Sequence, residues 1–253
     1  MKVFLTGASS GLGEALAKHY ASEGAVLGLV ARRRELIESL ASSLPTRCEI
    51  YAASVTDIAA MKQAGADFIQ RHGVPDIVIA NAGISIGNLT DEPDDVEVFR
   101  EILDVNVLGM VNTFQPFVEP MRNAGAGKLV GIASVAGIRG LPGATGYSAS
   151  KAAAIRYLEG LRVELRRSGV KVVSILPGYV ATAMTAKNPY RMPFIISADD
   201  AARRFARAIA AEKRQAIIPW QMAIVGRLLH VLPPFLYDAL AVSAGRKPRR
   251  TKR

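Results

Sequence analysis

Tyr147 and Lys151 stand four residues apart in Tyr147-Ser148-Ala149-Ser150-Lys151, at the opening of a helical stretch. That spacing places both side chains on one helical face, one turn apart. An ammonium beside a phenol favours the phenolate and draws its pKa toward a value useful for proton transfer. Ser134, just after an apolar run, can hydrogen-bond the same substrate oxygen. Alone, the pair equally fits an exposed tyrosine and lysine on an amphipathic helix. Its chemical reading depends on three further clusters.

The first is Thr6-Gly7-Ala8-Ser9-Ser10-Gly11-Leu12-Gly13, which joins an apolar run to a helical stretch. Its glycines permit a tight turn and let the backbone from Gly7 through Ser9, Ser10, Gly11, Leu12 and Gly13 approach a pyrophosphate at a helix N-terminus. Three residues separate the first two glycines, so this is not the G-x-G-x-x-G fingerprint, and a structural turn remains the alternative. The second cluster is Arg32-Arg33-Arg34 after Leu29-Val30-Ala31. In a dinucleotide site that strand end faces the adenosine ribose, where an acid binds the 2′-hydroxyl and arginine accommodates a 2′-phosphate. Ala31 holds the acidic position and Arg32 and Arg33 follow, so NADP(H) is expected over NAD. The plain alternative is a solvated first helical turn, although arginine there opposes the helix dipole. The third cluster, Asn81-Ala82-Gly83, ends another apolar run; small residues there let backbone lie against a cofactor, and also make a good turn.

Short apolar runs alternate with longer helical patterns along the chain. Strands are predicted at 3–5, 26–31, 48–53, 77–80, 128–133 and 170–176. Helices are predicted at 11–23, 34–44, 96–121 and 148–167, with another capped by Asp57 and running to His72. Gly24, Pro45 and Gly73 stop the first three helices. The strand runs show little alternation, which implies burial on both faces and a doubly wound parallel sheet between helices. No composition break precedes residue 245, so a single domain over 1–245 is expected. Within it, 183–245 would supply a substrate lid and an amphipathic segment, and 246–253 a disordered basic tail.

Together, Thr6-Gly7-x-x-x-Gly11-x-Gly13, Asn81-Ala82-Gly83, Asn106, Ser134, Tyr147-x-x-x-Lys151 and Pro177-Gly178 resemble the short-chain dehydrogenase/reductase family, over residues 1 to about 185. The resemblance implies a Rossmann fold and nicotinamide-dependent oxidoreduction of an alcohol or carbonyl. It makes Tyr147 the proton donor or acceptor, and Lys151 the group that holds the nicotinamide ribose and tunes Tyr147. Ser134 would orient the carbonyl, and Asn106 would support a water relay to Lys151. Pro177, Gly178, Val180 and Thr182 would pack the nicotinamide, with Thr182 near its carboxamide. Two positions depart from the family pattern: Ser54-Val55 stands where an aspartate often meets the adenine, and Ala80 precedes Asn81 where asparagine is common. The family also implies a homodimer or homotetramer, assembled partly through helices at 106–124 and 148–168.

Composition narrows the remaining classes. Of 253 residues half are hydrophobic and 21% charged, which excludes a disordered chain or a coiled coil. The single cysteine, Cys48, excludes a disulfide framework, and His19, His72 and His230 show no ligand spacing, so no metal is expected. The net charge is +10, but six of the cations lie in 246–253, and removing them leaves an ordinary +4. A nucleic-acid partner is therefore not expected. No signal-peptide or membrane-spanning run is visible, which makes the cytoplasm the expected compartment.

The region after Pro177-Gly178 is apolar through Met184, Tyr190, Met192, Pro193, Phe194, Ile195 and Ile196, with Lys187 and Arg191 its basic side chains. A hydrophobic ketone or alcohol fits it better than a sugar. A 3-oxoacyl-carrier-protein substrate is the alternative, because basic residues could meet an acidic carrier. A non-catalytic NADP-binding regulatory or assembly protein is the alternative from another class. Near the C-terminus, Met222, Val225, Leu228, Leu229 and Leu232 share one predicted helical face, with Ala223, Gly226, Arg227 and His230 opposite; Pro233-Pro234 ends the helix. That face either packs on protein or, with the basic tail, makes a peripheral contact with an anionic membrane at its inner face.

Overall fold

Runs such as Val3-Phe4-Leu5 and Ile77-Val78-Ile79 are apolar on both sides of the chain, and only a sheet covered on both faces can bury them. The computed structural model, which describes residues 1–242 and 245–250, places them at the centre of such a sheet. Its strands are β1 (Lys2–Thr6), β2 (Val26–Ala31), β3 (Cys48–Ala52), β4 (Ile77–Ala80), β5 (Lys128–Ile132) and β6 (Lys171–Pro177). Two short strands follow, β7 (Val180–Ala181) and β8 (Ile196–Ser197), and then β9 (Gln215–Ile218). All seven strands of the main sheet are parallel, in the order β3-β2-β1-β4-β5-β6-β9. This is the α/β Rossmann-like arrangement. Strand order reverses between β1 and β4, which opens a crevice at their carboxyl ends.

Helices α1 (Gly11–Ser22), α2 (Arg34–Ser43) and α3 (Ile58–His72) connect the first strands. Asp57 does cap α3, its carboxylate accepting from Ala60 N at 2.9 Å. The predicted helix over 96–121 is broken in two. A π-helical turn at Asp104–Leu108 separates α4 (Asp95–Leu103) from α5 (Gly109–Ala124), and such turns recur at functional sites. Then come α6 (Thr145–Glu164) and α7 (Ala198–Ala210), followed by α8 (Trp220–Val231) and α9 (Pro234–Ala241). One core gathers Leu16, Ile37 and Phe205 from α1, α2 and α7 on one face of the sheet. The other gathers Phe68, Phe117 and Leu158 from α3, α5 and α6 on the opposite face.

Three features differ from the sequence expectations. The region expected as a lid begins just after β7, which pairs in parallel with β8 inside it, and it goes on to hold α7 and the edge strand β9. On α8 the buried residues are Met222 and Gly226, while Leu228 is 62% exposed. Gly226 therefore faces inward, not outward: a methyl there would come within 2.7 Å of Ile138 Cδ1, so the helix approaches the loop at the one position without a side chain. The outer face of α8 instead shows Trp220, Ile224, Leu228 and Val231 as an exposed apolar stripe, and Phe235 and Leu240 are exposed on α9.

The tail also departs from its expected disorder. Arg249 pairs with Glu92 and Asp95, and Arg250 with Glu101. Lys247 donates to Ser85 Oγ at 2.7 Å, so residues 246–250 are docked on the body. The rest of the predicted tail, 251–253, lies outside the described residues. Among the described residues no helix is long and apolar enough to cross a membrane, and no group of acidic, histidine and cysteine side chains is arranged to hold a metal ion.

Candidate active site

Thr6 ends β1 and binds the two strands that frame the crevice. Its Oγ1 accepts from Asn81 N at 3.2 Å and Ala82 N at 3.3 Å, while Asn81 Nδ2 donates back to Thr6 O at 3.1 Å and Gly7 O at 3.3 Å. Gly7 then turns at φ +72°, and a methyl there would sit 2.8 Å from Ala82 Cα. At Gly13 a methyl would fall 2.0 Å from Gly7 O. Only glycine lets α1 begin this close to the turn. No side chain caps α1 at Ser10, so its first amides remain for a ligand.

A groove of about 420 Å³ runs along this carboxyl edge. It brings together Gly7, Ser9, Ser10, Gly11, Leu12 and Gly13 from the turn with Asn81, Ala82 and Gly83 from β4. Arg32, Arg33, Ser54 and Val55 line one end; Ser134, Tyr147, Lys151, Pro177, Gly178, Val180 and Thr182 line the other. Thr182 arches over the turn, its methyl 3.1 Å from where a Cβ of Gly11 would be. Arg33 donates to Ser9 Oγ and to Ser10 Oγ, each at 3.0 Å. A guanidinium and two hydroxyls thus converge beside the glycine turn.

Of the expected site residues, Asn106 alone does not line the groove. The π-helical turn holds it behind the loop after β4, 1% exposed. Its Oδ1 accepts from Ile84 N at 2.8 Å, and its Nδ2 donates to Ile84 O and to Ser150 Oγ, both at 2.9 Å. Asn106 therefore ties that loop to α6 through its side chain.

At the catalytic end, Ser134 and Tyr147 both line the groove, and Ser134 Oγ accepts from Ala136 N at 3.1 Å. Lys151 Nζ lies 5.8 Å from the Tyr147 ring centroid and donates to Ile132 O at 2.8 Å. Burial pushes the Lys151 ammonium down to about 8. It also pushes the Tyr147 phenol above its usual range, while the nearby Ser134 hydroxyl pulls it back. The expected lowering by Lys151 is thus not the dominant effect on the phenol, because desolvation of the phenolate outweighs it. Thr6, which opens the first cluster, supports the site, and Ile84, Ser85 and Val105 join or support it without having been singled out. Those three carried no local signal.

The short chain dehydrogenase family model matches residues 1–192. The chain belongs to this family. Relatives of this short-chain dehydrogenase include an uncharacterized oxidoreductase of Myxococcus xanthus, 37% identical over 94% of this chain and 94% of that protein. A 3-oxoacyl-[acyl-carrier-protein] reductase of Thermotoga maritima is 34% identical over 73% of this chain and 76% of its own. Among solved structures, a short chain dehydrogenase of Burkholderia cenocepacia in complex with NADP superposes with a TM-score of 0.82. The two share 26% identity, over 94% of this chain and 96% of that one. The chain is accordingly an oxidoreductase of the NAD(P)-dependent kind, with a glycine cradle and free α1 amides that fit a dinucleotide.

Proposed function

We propose that this short-chain dehydrogenase uses NADP(H) to interconvert a hydrophobic ketone and a secondary alcohol, with Tyr147 as general acid and base. The observation that carries the reading is the convergence of Ser134 and Tyr147 in the groove wall with the buried Lys151 ammonium 5.8 Å from the Tyr147 ring, at the end of the dinucleotide groove. In reduction, the Tyr147 proton passes to the substrate oxygen while Ser134 holds that oxygen by a hydrogen bond. Lys151 stabilises the phenolate left behind. The nicotinamide, when bound, supplies the hydride to the carbonyl carbon; in oxidation each transfer runs backward.

The choice of NADP rests on Arg33 meeting Ser9 and Ser10, with Arg32 beside them at the ribose end of the groove. Together they offer a 2′-phosphate several charge-assisted donors. The hydrophobic substrate rests on Met184 in the groove wall and on Phe194 and Ile195 exposed in the loop between β7 and β8. Lys187 and Arg191, exposed in that same loop, favour the acyl-carrier alternative. A screen following NADPH consumption against hydrophobic ketones and acyl-pantetheine thioesters tests the assignment. Turnover of ketones supports it, preference for thioesters moves it to the alternative, and NADPH binding without any turnover leaves a non-catalytic protein.

Two partner proposals accompany it. Leu108 on the π-helical turn and Val163 on α6 are exposed apolar side chains on helices suited to a homo-oligomer interface. The α8 stripe, beside a shallow depression lined by Trp220, Arg204, Arg207, Lys213 and Arg227, suits an anionic membrane surface.

A further inference from the structure

Residues 245–250 pass beside the catalytic end of the groove. Gly245 packs so tightly on the lid that a methyl there would lie 2.6 Å from Tyr190 Cβ, and Arg246 packs over Gly143. Lys247 then sets its ammonium 2.7 Å from Ser85 Oγ and 5.8 Å from the Tyr147 ring centroid, as far as Lys151 is on its own side. Gly87 N donates to Pro248 O at 3.0 Å. Beyond it, Arg249 Nε donates to Asp95 Oδ2 at 2.8 Å, and Arg249 Nη1 reaches Glu92 at 2.8 Å. The Asp95 side chain is 2% exposed, and its other partner is Leu89 N at 2.8 Å. A carboxylate that deep needs a cation, and Arg249 is that cation. The segment is therefore held by a specific clamp, and the clamp fixes where Lys247 lies.

Lys247 differs from its neighbours in the segment. Arg249 and Arg250 each meet a carboxylate, whereas half-buried Lys247 meets a hydroxyl, with no ion pair among the described residues. No aspartate or glutamate lines the groove. Burial pushes its ammonium down to about 8, the mark of a charge stripped of water and given nothing negative in return. A desolvated ammonium 5.8 Å from the Tyr147 ring, without a counter-ion among the described residues, is a receptor for an anion.

We propose that Lys247 is a substrate anchor, its ammonium taking the carboxylate of a molecule whose carbonyl or hydroxyl reaches Tyr147. The enzyme then acts on hydrophobic oxo and hydroxy acids. The apolar lid takes the carbon chain, Lys247 takes the acid, and Ser134 and Tyr147 take the reacting oxygen. The carboxylate is unchanged in the reaction: the carbonyl carbon gains the hydride and its oxygen gains the Tyr147 proton. This inference rests on the reading of Tyr147 as general acid and base, and it narrows the substrate of that same site.

The test compares straight-chain oxo-octanoic acids with their methyl esters, in the full chain with NADPH. The wild type should favour acids over esters. Lys247→Met should lower the acid-to-ester ratio of kcat/KM by about ten- to a hundredfold, the scale of one charge-assisted hydrogen bond, and Lys247→Arg should restore much of it. An unchanged ratio, or a wild type that favours esters, overturns the proposal while leaving the oxidoreductase reading in place. If NADPH binds and no carbonyl is reduced, the oxidoreductase reading fails instead. The anchor is then read by calorimetry of octanoate binding to the NADP complex. Binding lost in Lys247→Met supports it, and equal or absent binding in both proteins overturns it.

Discussion

Lys151 donates to the carbonyl oxygen of Ile132 at 2.8 Å, which commits its ammonium to the end of β5 while it sits behind the Tyr147 ring. The cation is 5% exposed, and burial lowers it from an ordinary 10.5 to about 8. The folded protein releases this proton more readily than the unfolded chain. Between about pH 8 and pH 10 the unfolded chain therefore binds more protons, and stability from this group rises with pH. Below that window the cost of the buried charge is fully present. Thermal melts of cofactor-free protein across the window should show the rise, and Lys151→Met should flatten it. Lys247, lowered to about 8 by its own burial, acts in the same window and accounts for a residual slope. An identical slope in wild type and Lys151→Met would contradict a buried, charged Lys151.

The proposed preference for NADP would divide between two arginines. Arg33 is pinned at 3.0 Å to Ser9 and Ser10, while Arg32 lines the same end of the groove without a bond of this kind. Arg32→Ala and Arg33→Ala should each weaken NADPH by about ten- to a hundredfold in fluorescence titrations and affect NADH far less. Equal losses for both cofactors would make the arginines supports of the glycine turn.

Asn106→Ala would leave Ile84 N, Ile84 O and Ser150 Oγ without their present partner in a nearly closed site. The expected cost is on the order of 2–3 kcal/mol in chemical denaturation, since an unpaired buried polar group costs about 1–3 kcal/mol, Ile84 is only half-buried, and Ser150 Oγ keeps its bond to Tyr147 O. Because the loop after β4 lies against the catalytic end, kcat should fall more than the affinity for NADPH. A stable variant with normal kcat would remove Asn106 from any positioning role.

The outer stripe of α8 permits a separation of partners. If it meets anionic lipid, vesicles rich in phosphatidylglycerol should sediment the protein at low salt and release it at high salt, and neutral vesicles should not bind. Arg207→Glu with Arg227→Glu should weaken that binding. Removal of residues 246–253 should matter less, because Lys247, Arg249 and Arg250 are engaged by the body. Light scattering that instead shows a dimer lost in Leu228→Ser would assign the stripe to a second copy of the chain.

Local signals explain why so much of the groove was legible. Gly7, Gly11 and Gly13 mark a turn whose backbone must approach other backbone closely, and Ile77–Ala80 reads as a strand because no polar residue interrupts it. Spacing alone puts Tyr147 and Lys151 on one face of α6. Features decided by distant contacts were not legible. The π-helical turn at Asp104–Leu108 keeps the apolar periodicity on both sides, so the pattern passes through it. The edge strand β9 has four residues, too few for a periodic signal, and Gly226 faces inward only because Ile138 lies there. The basic tail reads as a solvated charge run until Asp95, 154 residues earlier, is seen to be buried and to need Arg249. No local pattern reports a partner that far away.

The central claim is that Tyr147 moves the proton. The most direct measurement is single-turnover reduction of a hydrophobic carbonyl by the NADPH complex of Tyr147→Phe, beside NADPH titration of the same variant. The aromatic ring is retained, so NADPH affinity should stay close to wild type. The chemical step should slow by at least about a hundredfold, the scale on which a positioned acid acts. A variant that binds NADPH normally and still turns over near the wild-type rate would contradict the account.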